Sequence, residues 1–182
     1  MKTLIINGSP RKKGDTAFLL SELKKHIDHE VLEISAYYNN IKPCNDCRAC
    51  TKQKGCIIDD DMRLIYADDF DNVVVASALH MSNLTPPLVG LASRFQVHYC
   101  AKKFLKDAFR PKEKKAALIL VGGGDGGPAD AIKLSQFIFK QLNAREFEKN
   151  MVFSLKTDKI PASEDKEAIK RVKEIALRLN GN

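Results

Sequence analysis

The sequence predicts an α/β fold, a parallel sheet covered on both faces by helices. Three observations carry that prediction. Short apolar runs of strand length alternate five times with segments whose apolar residues recur at helical spacing. Two of the runs, residues 72–77 (NVVVAS) and 116–121 (AALILV), are apolar without alternation, as central strands covered on both faces are. The first run leads straight into a polar turn and then a helical pattern, the strand–loop–helix unit from which parallel sheets are built.

Taken in order, Thr3, Leu4, Ile5 and Ile6 form the first buried strand. Residues 7–16 (NGSPRKKGDT) make the turn, and Leu19, Leu20, Leu23 and Ile27 share one face of the first helix. Residues 31–35 alternate, with Leu32 and Ile34 on one side, which predicts an edge strand. A short helix carries Met62, Ile65 and Tyr66 before the strand at 72–77. The third helix opens on Pro86 and Pro87, which suit a first turn, carries Leu88, Leu91, Ala92 and Phe95, and ends at Cys100. Residues 102–115 are predicted as an exposed connection, with seven basic residues against Asp107 and Glu113. After the strand at 116–121, the fourth helix turns Ala131, Ser135, Ile138 and Leu142 inward. A fifth strand at 151–155 precedes a last helix with Ile169, Val172, Ile175, Ala176 and Leu179 on one face. With the second strand at an edge, the order 2-1-3-4-5 follows: a five-stranded, three-layer, flavodoxin-like sandwich. Without repeats or low-complexity linkers, residues 1–182 read as one domain, with a cysteine loop at 42–58 inserted after the second strand.

Composition narrows the function classes. No 18-residue apolar run is present and the N-terminus enters a strand, so neither a membrane span nor a signal peptide is expected and the chain reads as cytoplasmic. The net charge of +7 raises nucleic acid as a partner, but there is no zinc-finger or RRM signature, no Trp and few aromatic residues, so nucleic-acid binding is not expected. Four of the five cysteines fall within thirteen residues, which in a reducing compartment favours metal or redox chemistry over disulfides.

In a parallel sheet every loop after a strand opens at the carboxyl edge, where such folds bind ligands. The first loop leads into a helix N-terminus, whose free N–H groups and dipole favour an anion. Ser9 and Thr16 add hydroxyls, and Arg11, Lys12 and Lys13 add charge. Five residues separate Gly8 from Gly14 and Asp-Thr follows, so this is not a Walker loop, and the dinucleotide glycine fingerprint is absent too. A terminal phosphate monoester, as on FMN, remains; an ordinary polar loop is the plain alternative. Residues 78–85 (ALHMSNLT) alternate apolar atoms with amides, and residues 122–127 (GGGDGG) allow close backbone approach, both suited to a flat heteroaromatic ring, with Met81 or His80 packing beneath a loop and a merely flexible glycine turn as the plain alternatives. Cys44, Cys47, Cys50 and Cys56 have the compact spacing that wraps a cubane [4Fe–4S] cluster, with zinc and unmetallated thiols as alternatives. Lys42, Arg48, Lys52 and Lys54 surround them with only Asp46 opposing, and Cys100 reads as a packing residue.

Together these loops, the Asp59-Asp60-Asp61-Met62 run and residues 157–161 (TDKIP) resemble the NADPH-dependent FMN reductase-like flavoproteins, and within them the iron–sulfur flavoproteins. The resemblance implies an FMN-dependent oxidoreductase in which the flavin carries the chemistry and no acid–base pair is needed. It places the FMN phosphate on Ser9, Arg11 and Thr16, with Lys13, Gly14, Asp15 and Ala17 in the same turn. It places Leu79, His80, Met81, Ser82, Asn83 and Leu84 along the isoalloxazine, and Gly122, Gly123 and Gly124 at its other border. Cys44, Cys47, Cys50 and Cys56 become the ligands of one cluster. NAD(P)H or a ferredoxin-like donor would supply electrons; quinone, flavin or oxygen species would accept them, in a homodimer or homotetramer. A pure electron carrier and a zinc-stabilised interaction module are the other classes. The family usually has Asn where Asp15 stands, so Asp15 is expected to cap the first helix and point away. Pro and an aromatic residue are often found where this chain has Ala78 and His80.

Overall fold

A computed structural model describes residues 1–106 and 111–181. The chain runs β1 (Lys2–Gly8), α1 (Asp15–His26), β2 (Glu30–Ser35), α2 (Met62–Tyr66), β3 (Asn72–His80), β4 (Asn83–Leu84) and α3 (Pro86–Ser93). It continues through α4 (Gln96–Phe104), β5 (Lys114–Gly122), α5 (Ala129–Gln141), β6 (Ala144–Arg145), β7 (Met151–Leu155) and α6 (Lys166–Leu179). β2, β1, β3 and β5 lie side by side, all parallel, with Leu4 opposite both Leu32 and Val73, and Val75 opposite Leu118. β7 pairs with the outer side of β5, so the five long strands take the flavodoxin-like order expected.

The sheet has seven strands rather than five because two short pieces join it. The fifth position is interrupted. β6 pairs with Lys114 and Lys115, Glu146 turns into the left-handed region (φ 62°), and β7 rejoins at Leu118. The Asn150 side chain fills the gap by donating to the Ala116 carbonyl (3.0 Å), which satisfies a buried group the break would orphan. β4 folds back on the end of β3 through Met81 and Ser82, both at positive φ (52° and 61°), the conformation of a two-residue hairpin turn matched to strand twist.

Successive strand residues feed opposite layers. Leu4, Ile6, Val73, Val75, Leu118 and Leu120 pack with Met62, Leu88, Leu91, Phe95 and Ile138 on one face. Ile5, Val74, Ala76, Ile119 and Val121 pack with Leu19, Leu23, Val172, Ile175 and Leu179 on the other. Burial on both faces is why these strands lack polar alternation.

Two expectations are corrected. The stretch 102–115 is not simply an exposed connection. Lys102 and Lys103 belong to α4, Lys115 to β5, and Lys114 is buried with its ammonium 2.7 Å from the Asp68 carboxylate. Asp107 and the other residues from 107 to 110 lie outside the described part. The third predicted helix is two helices. At Arg94 and Phe95 the N–H groups donate to Leu91 and Ala92, three residues back, and Tyr66 Oη takes the Arg94 carbonyl (2.9 Å).

That tightened turn aims the Arg94 side chain inward, where it is 1 % exposed. Its Nη1 donates to Asp60 Oδ2 at 2.5 Å and to the Lys42 carbonyl at 2.8 Å, and Nη2 donates to the Ile58 carbonyl at 3.3 Å. Asp60 accepts in addition from the N–H of Lys42 (3.0 Å) and of Met62 (3.1 Å). One ion pair thus holds both ends of the cysteine loop and the start of α2. Burial pushes the Asp60 carboxyl up, but the Arg94 guanidinium and these backbone donors hold it below the usual carboxylate range. A depressed carboxyl stabilises the fold above its unfolded value of about 3.9, and that stabilisation is lost as pH falls through the folded value. Asp60→Asn is therefore expected to cost about 3–5 kcal/mol at pH 7 in urea unfolding, the loss typical of stranding one buried charge. The gap to the parent should narrow below about pH 4, where the parent carboxyl also takes up its proton.

Candidate functional site

A cavity of about 320 Å³ opens at the carboxyl ends of β1, β3, β5 and β7. The first loop supplies Ser9, Pro10, Arg11, Gly14, Asp15 and Thr16; the end of β3 supplies Ala78, Leu79 and His80. Val121, Gly122 and Gly123 come from the end of β5 and its loop, and Thr157 and Asp158 from the turn after β7. These segments meet where the strand order reverses between β1 and β3, the crevice in which doubly wound sheets hold their ligands.

The first loop is shaped by its own short-range bonds. Asn7 Oδ1 accepts from the Ser9 N–H (2.7 Å), and Ser9 Oγ both accepts from the Arg11 N–H (3.3 Å) and donates to the Arg11 carbonyl (3.1 Å). Tyr38 Oη donates to the Pro10 carbonyl (2.7 Å), and the Lys12 ammonium lies 4.7 Å over the Tyr38 ring. Lys12 is thus engaged on the outside of the loop. The N-cap of α1 is Gly14, which offers no side-chain acceptor, so the first-turn N–H groups face the cavity region without a cap. Asp15 does not cap its helix. Its Oδ1 accepts from the Ala162 N–H (2.8 Å), tying the start of α1 to the segment before α6.

Close approach holds the other walls. A Cβ on Gly8 would meet Leu88 Cδ2 at 2.7 Å and Ser77 Oγ at 2.9 Å, so a side chain there would displace the packing of β1 against α3. The Gly122 carbonyl accepts from both the Lys156 (2.7 Å) and Thr157 (3.0 Å) N–H groups, which draws the turn after β7 against the end of β5.

The structure therefore gathers Ser9, Arg11, Gly14, Asp15, Thr16, Leu79, His80, Gly122 and Gly123 around one cavity. Lys13, Ala17, Met81, Ser82, Asn83, Leu84 and Gly124 lie outside its lining. Met81 sits at the hairpin tip, 99 % exposed, while Leu84 is buried in the core. Ser82 reaches the glycine loop, where its Oγ would touch a Cβ on Gly126 at 2.8 Å. Thr157 and Asp158 were missed as cavity residues, although they follow the last strand and the carboxyl-edge rule that singled out the other loops selects them equally.

A second cavity, of about 460 Å³, is lined by Cys44, Cys47, Cys50, Cys56 and also Cys100. Cys44 and Cys47 are exposed, Cys50 and Cys56 half-buried, and Cys100 buried. The turn at Ala49–Thr51 packs on α4 and brings the Cys50 thiol to the Cys100 thiol. Burial, and then the hydrogen bond with Cys100, push the Cys50 thiol up to about 11. Cys100 is thus a packing residue that also faces the thiol cavity. Among the described residues no three His, Cys, Asp or Glu side chains converge as a ready metal cage. The donor set nonetheless suits a thiolate-bound group. Arg94 Nη2 lies 3.3 Å from Cys56 Sγ, and its buried Nε has no hydrogen-bond partner among the described residues, leaving donor capacity beside the sulfurs.

The model of one protein family, described as NADPH-dependent FMN reductase, matches residues 1–158. The iron–sulfur flavoprotein of Methanosarcina thermophila is 31 % identical over 132 residues, 70 % of this chain and 66 % of that protein. One from Archaeoglobus fulgidus is 31 % identical over 135 residues, with the same two shares. The matched part of the chain spans just under two thirds of these relatives. Among solved structures, the NAD(P)H:quinone oxidoreductase from Methanothermobacter marburgensis superposes with a TM-score of 0.68 at 15 % identity, covering 98 % of this chain and 96 % of that one. The FMN-dependent NADH-azoreductase of Bacillus anthracis str. Ames Ancestor, solved with FMN, gives 0.62 at 18 % identity, covering 99 % and 100 %. These superpositions show the shared fold. With a family model matched over most of its length, the chain belongs to the NADPH-dependent FMN reductase family.

Proposed function

We propose that this protein is an FMN-dependent oxidoreductase that takes electrons from NAD(P)H and passes them to a small acceptor such as a quinone, with a [4Fe–4S] cluster on Cys44, Cys47, Cys50 and Cys56. The observation that carries the flavin reading is the cavity at the β1/β3 switch point, with the uncapped start of α1 on one side and the ends of β3 and β5 on the other. FMN supplies hydride and single-electron transfer when bound. The chain's own residues bind and orient it. Arg11 and the α1 N-terminus receive the phosphate, with Thr16 beside them and Ser9 holding the loop in shape. Leu79, His80, Gly122 and Gly123 border the ring, and Thr157 and Asp158 close the far side. The +7 charge fits a protein that meets anionic donors better than it fits the acidic carrier flavodoxins. Assembly as a homodimer or homotetramer belongs to the same proposal and rests on the family resemblance.

Three measurements test this reading. The double variant Ser9→Ala/Arg11→Ala should weaken FMN binding by about 2–4 kcal/mol in calorimetry, since a charge-assisted bond is worth about 1.5–3 kcal/mol. Unchanged affinity would remove the first loop from the site.

Stopped-flow mixing should show the bound flavin bleached by NADH or NADPH. Reduction by reduced ferredoxin alone would make the protein an electron carrier.

Anaerobic reconstitution should load about four irons and sulfide per chain, the content of a cubane cluster. Each Cys→Ser change at 44, 47, 50 or 56 should strip or convert it, while FMN binding survives because the flavin cavity is built from other loops. An iron content below about one per chain would leave a plain flavin reductase.

A further inference from the structure

The Arg94 guanidinium does more than its partner Asp60 requires. Nη1 alone serves Asp60 and the Lys42 carbonyl. Nη2 is directed at the Ile58 carbonyl and at Cys56 Sγ, both at 3.3 Å. Nε is buried without a hydrogen-bond partner among the described residues, and the side chain lines the thiol cavity. A structural clamp would be complete with Asp60, Lys42 and Ile58. The contact with sulfur is additional, and it comes from a cation shielded from solvent, where a charge-assisted hydrogen bond is at its strongest.

We infer that Arg94 is a positioning residue of the cysteine site, which fixes Cys56 and makes the bound cluster easier to reduce by donating a hydrogen bond from Nη2 to the Cys56 sulfur. The inference rests on the proposal that the four cysteines hold a [4Fe–4S] cluster. A donor on a ligand sulfur favours the more negative charge state, and hydrogen bonds to sulfur are among the groups by which a protein sets a cluster's potential. Arginine suits the task because its planar fork reaches carboxylate, carbonyls and sulfur at once. A lysine ammonium is a point charge and cannot span Asp60 and Cys56 together.

The decisive experiment is a redox titration of the full, FMN-loaded and anaerobically reconstituted chain, followed by electron paramagnetic resonance, with iron and sulfide counted on the same samples. Arg94→Lys keeps a charge for Asp60 and gives up the donor on Cys56, so the cluster potential should move to more negative values. The double variant Asp60→Asn/Arg94→Gln removes both charges, avoids a stranded carboxylate and should move the potential in the same direction, which gives a reading even if Arg94→Lys folds poorly. Asp60→Asn alone keeps the sulfur donor and removes a nearby negative charge, so its potential should not fall. Loss of iron from Arg94→Lys with FMN and thermal unfolding retained would also support the contact. An unchanged potential at full iron content in both Arg94 variants would overturn the role, as would an equal fall in Asp60→Asn. A parent protein that takes up no iron would overturn the cluster and this role together. The iron count thus reports on the cluster and the potential on Arg94.

Discussion

The buried pair of Arg94 and Asp60 is the contact on which the shape of the cysteine loop depends. The segment between β2 and α2 has little regular structure beyond one short turn at Ala49–Thr51, so its shape must come from a few long-range bonds. The pair supplies them. Arg94 takes the carbonyls of Lys42 and Ile58, Asp60 takes the N–H groups of Lys42 and Met62, and Ser93 Oγ accepts from the Cys44 N–H at 2.9 Å. Burying two charges is expensive, and it is offset only when geometry and hydrogen bonding are nearly complete. Here the carboxylate accepts on both oxygens, whereas the guanidinium, among the described residues, keeps one donor unused and another on sulfur. The incomplete partner is the one that faces the thiols.

The cavity at the carboxyl edge of the sheet is assembled in a different way. No single interaction holds it; the parallel sheet brings four loop starts to one edge, and local bonds set each wall. Ser9 bends the first loop, Tyr38 tethers it from β2's side, and the doubly used Gly122 carbonyl pulls the turn after β7 inward. Tyr38 lies on the stretch that leads from β2 toward the cysteine loop. Asp15, an unfavourable neighbour for a phosphate, is occupied by the Ala162 N–H instead.

Much of this was legible in the residues. The three central runs, in β1, β3 and β5, announced themselves because strands covered on both faces cannot alternate, and β2 announced itself as an edge because it does. The helical patterns of α1, α5 and α6 placed their buried residues correctly. What escaped was set by contacts between distant residues. Leu88, Leu91, Ala92 and Phe95 continue one helical stripe, so nothing in the period marks the break, and Arg94 lies off that stripe in a continuous helix, so its burial could not be read from the pattern. Its partner could not be picked from the run of Asp59, Asp60 and Asp61. Lys114 looked like part of a charged connection because two of its acceptors, Asp68 and the Leu142 carbonyl, come from elsewhere in the chain. The β3–β4 hairpin was hidden because Met81 and Ser82 hold a turn conformation that usually advertises itself with Asn or Gly.

The interrupted strand at the far side of β5 has a consequence for how copies of the chain can meet. A continuous outer strand offers a row of unpaired backbone groups on which another chain can extend the sheet. Here that row is broken by the turn at Phe147–Lys149 and by Asn150, and the opposite edge, β2, carries Glu30 and Glu33 in ion pairs with Lys2 and Lys24. Both borders thus carry features that disfavour strand addition, an interruption on one side and paired charges on the other.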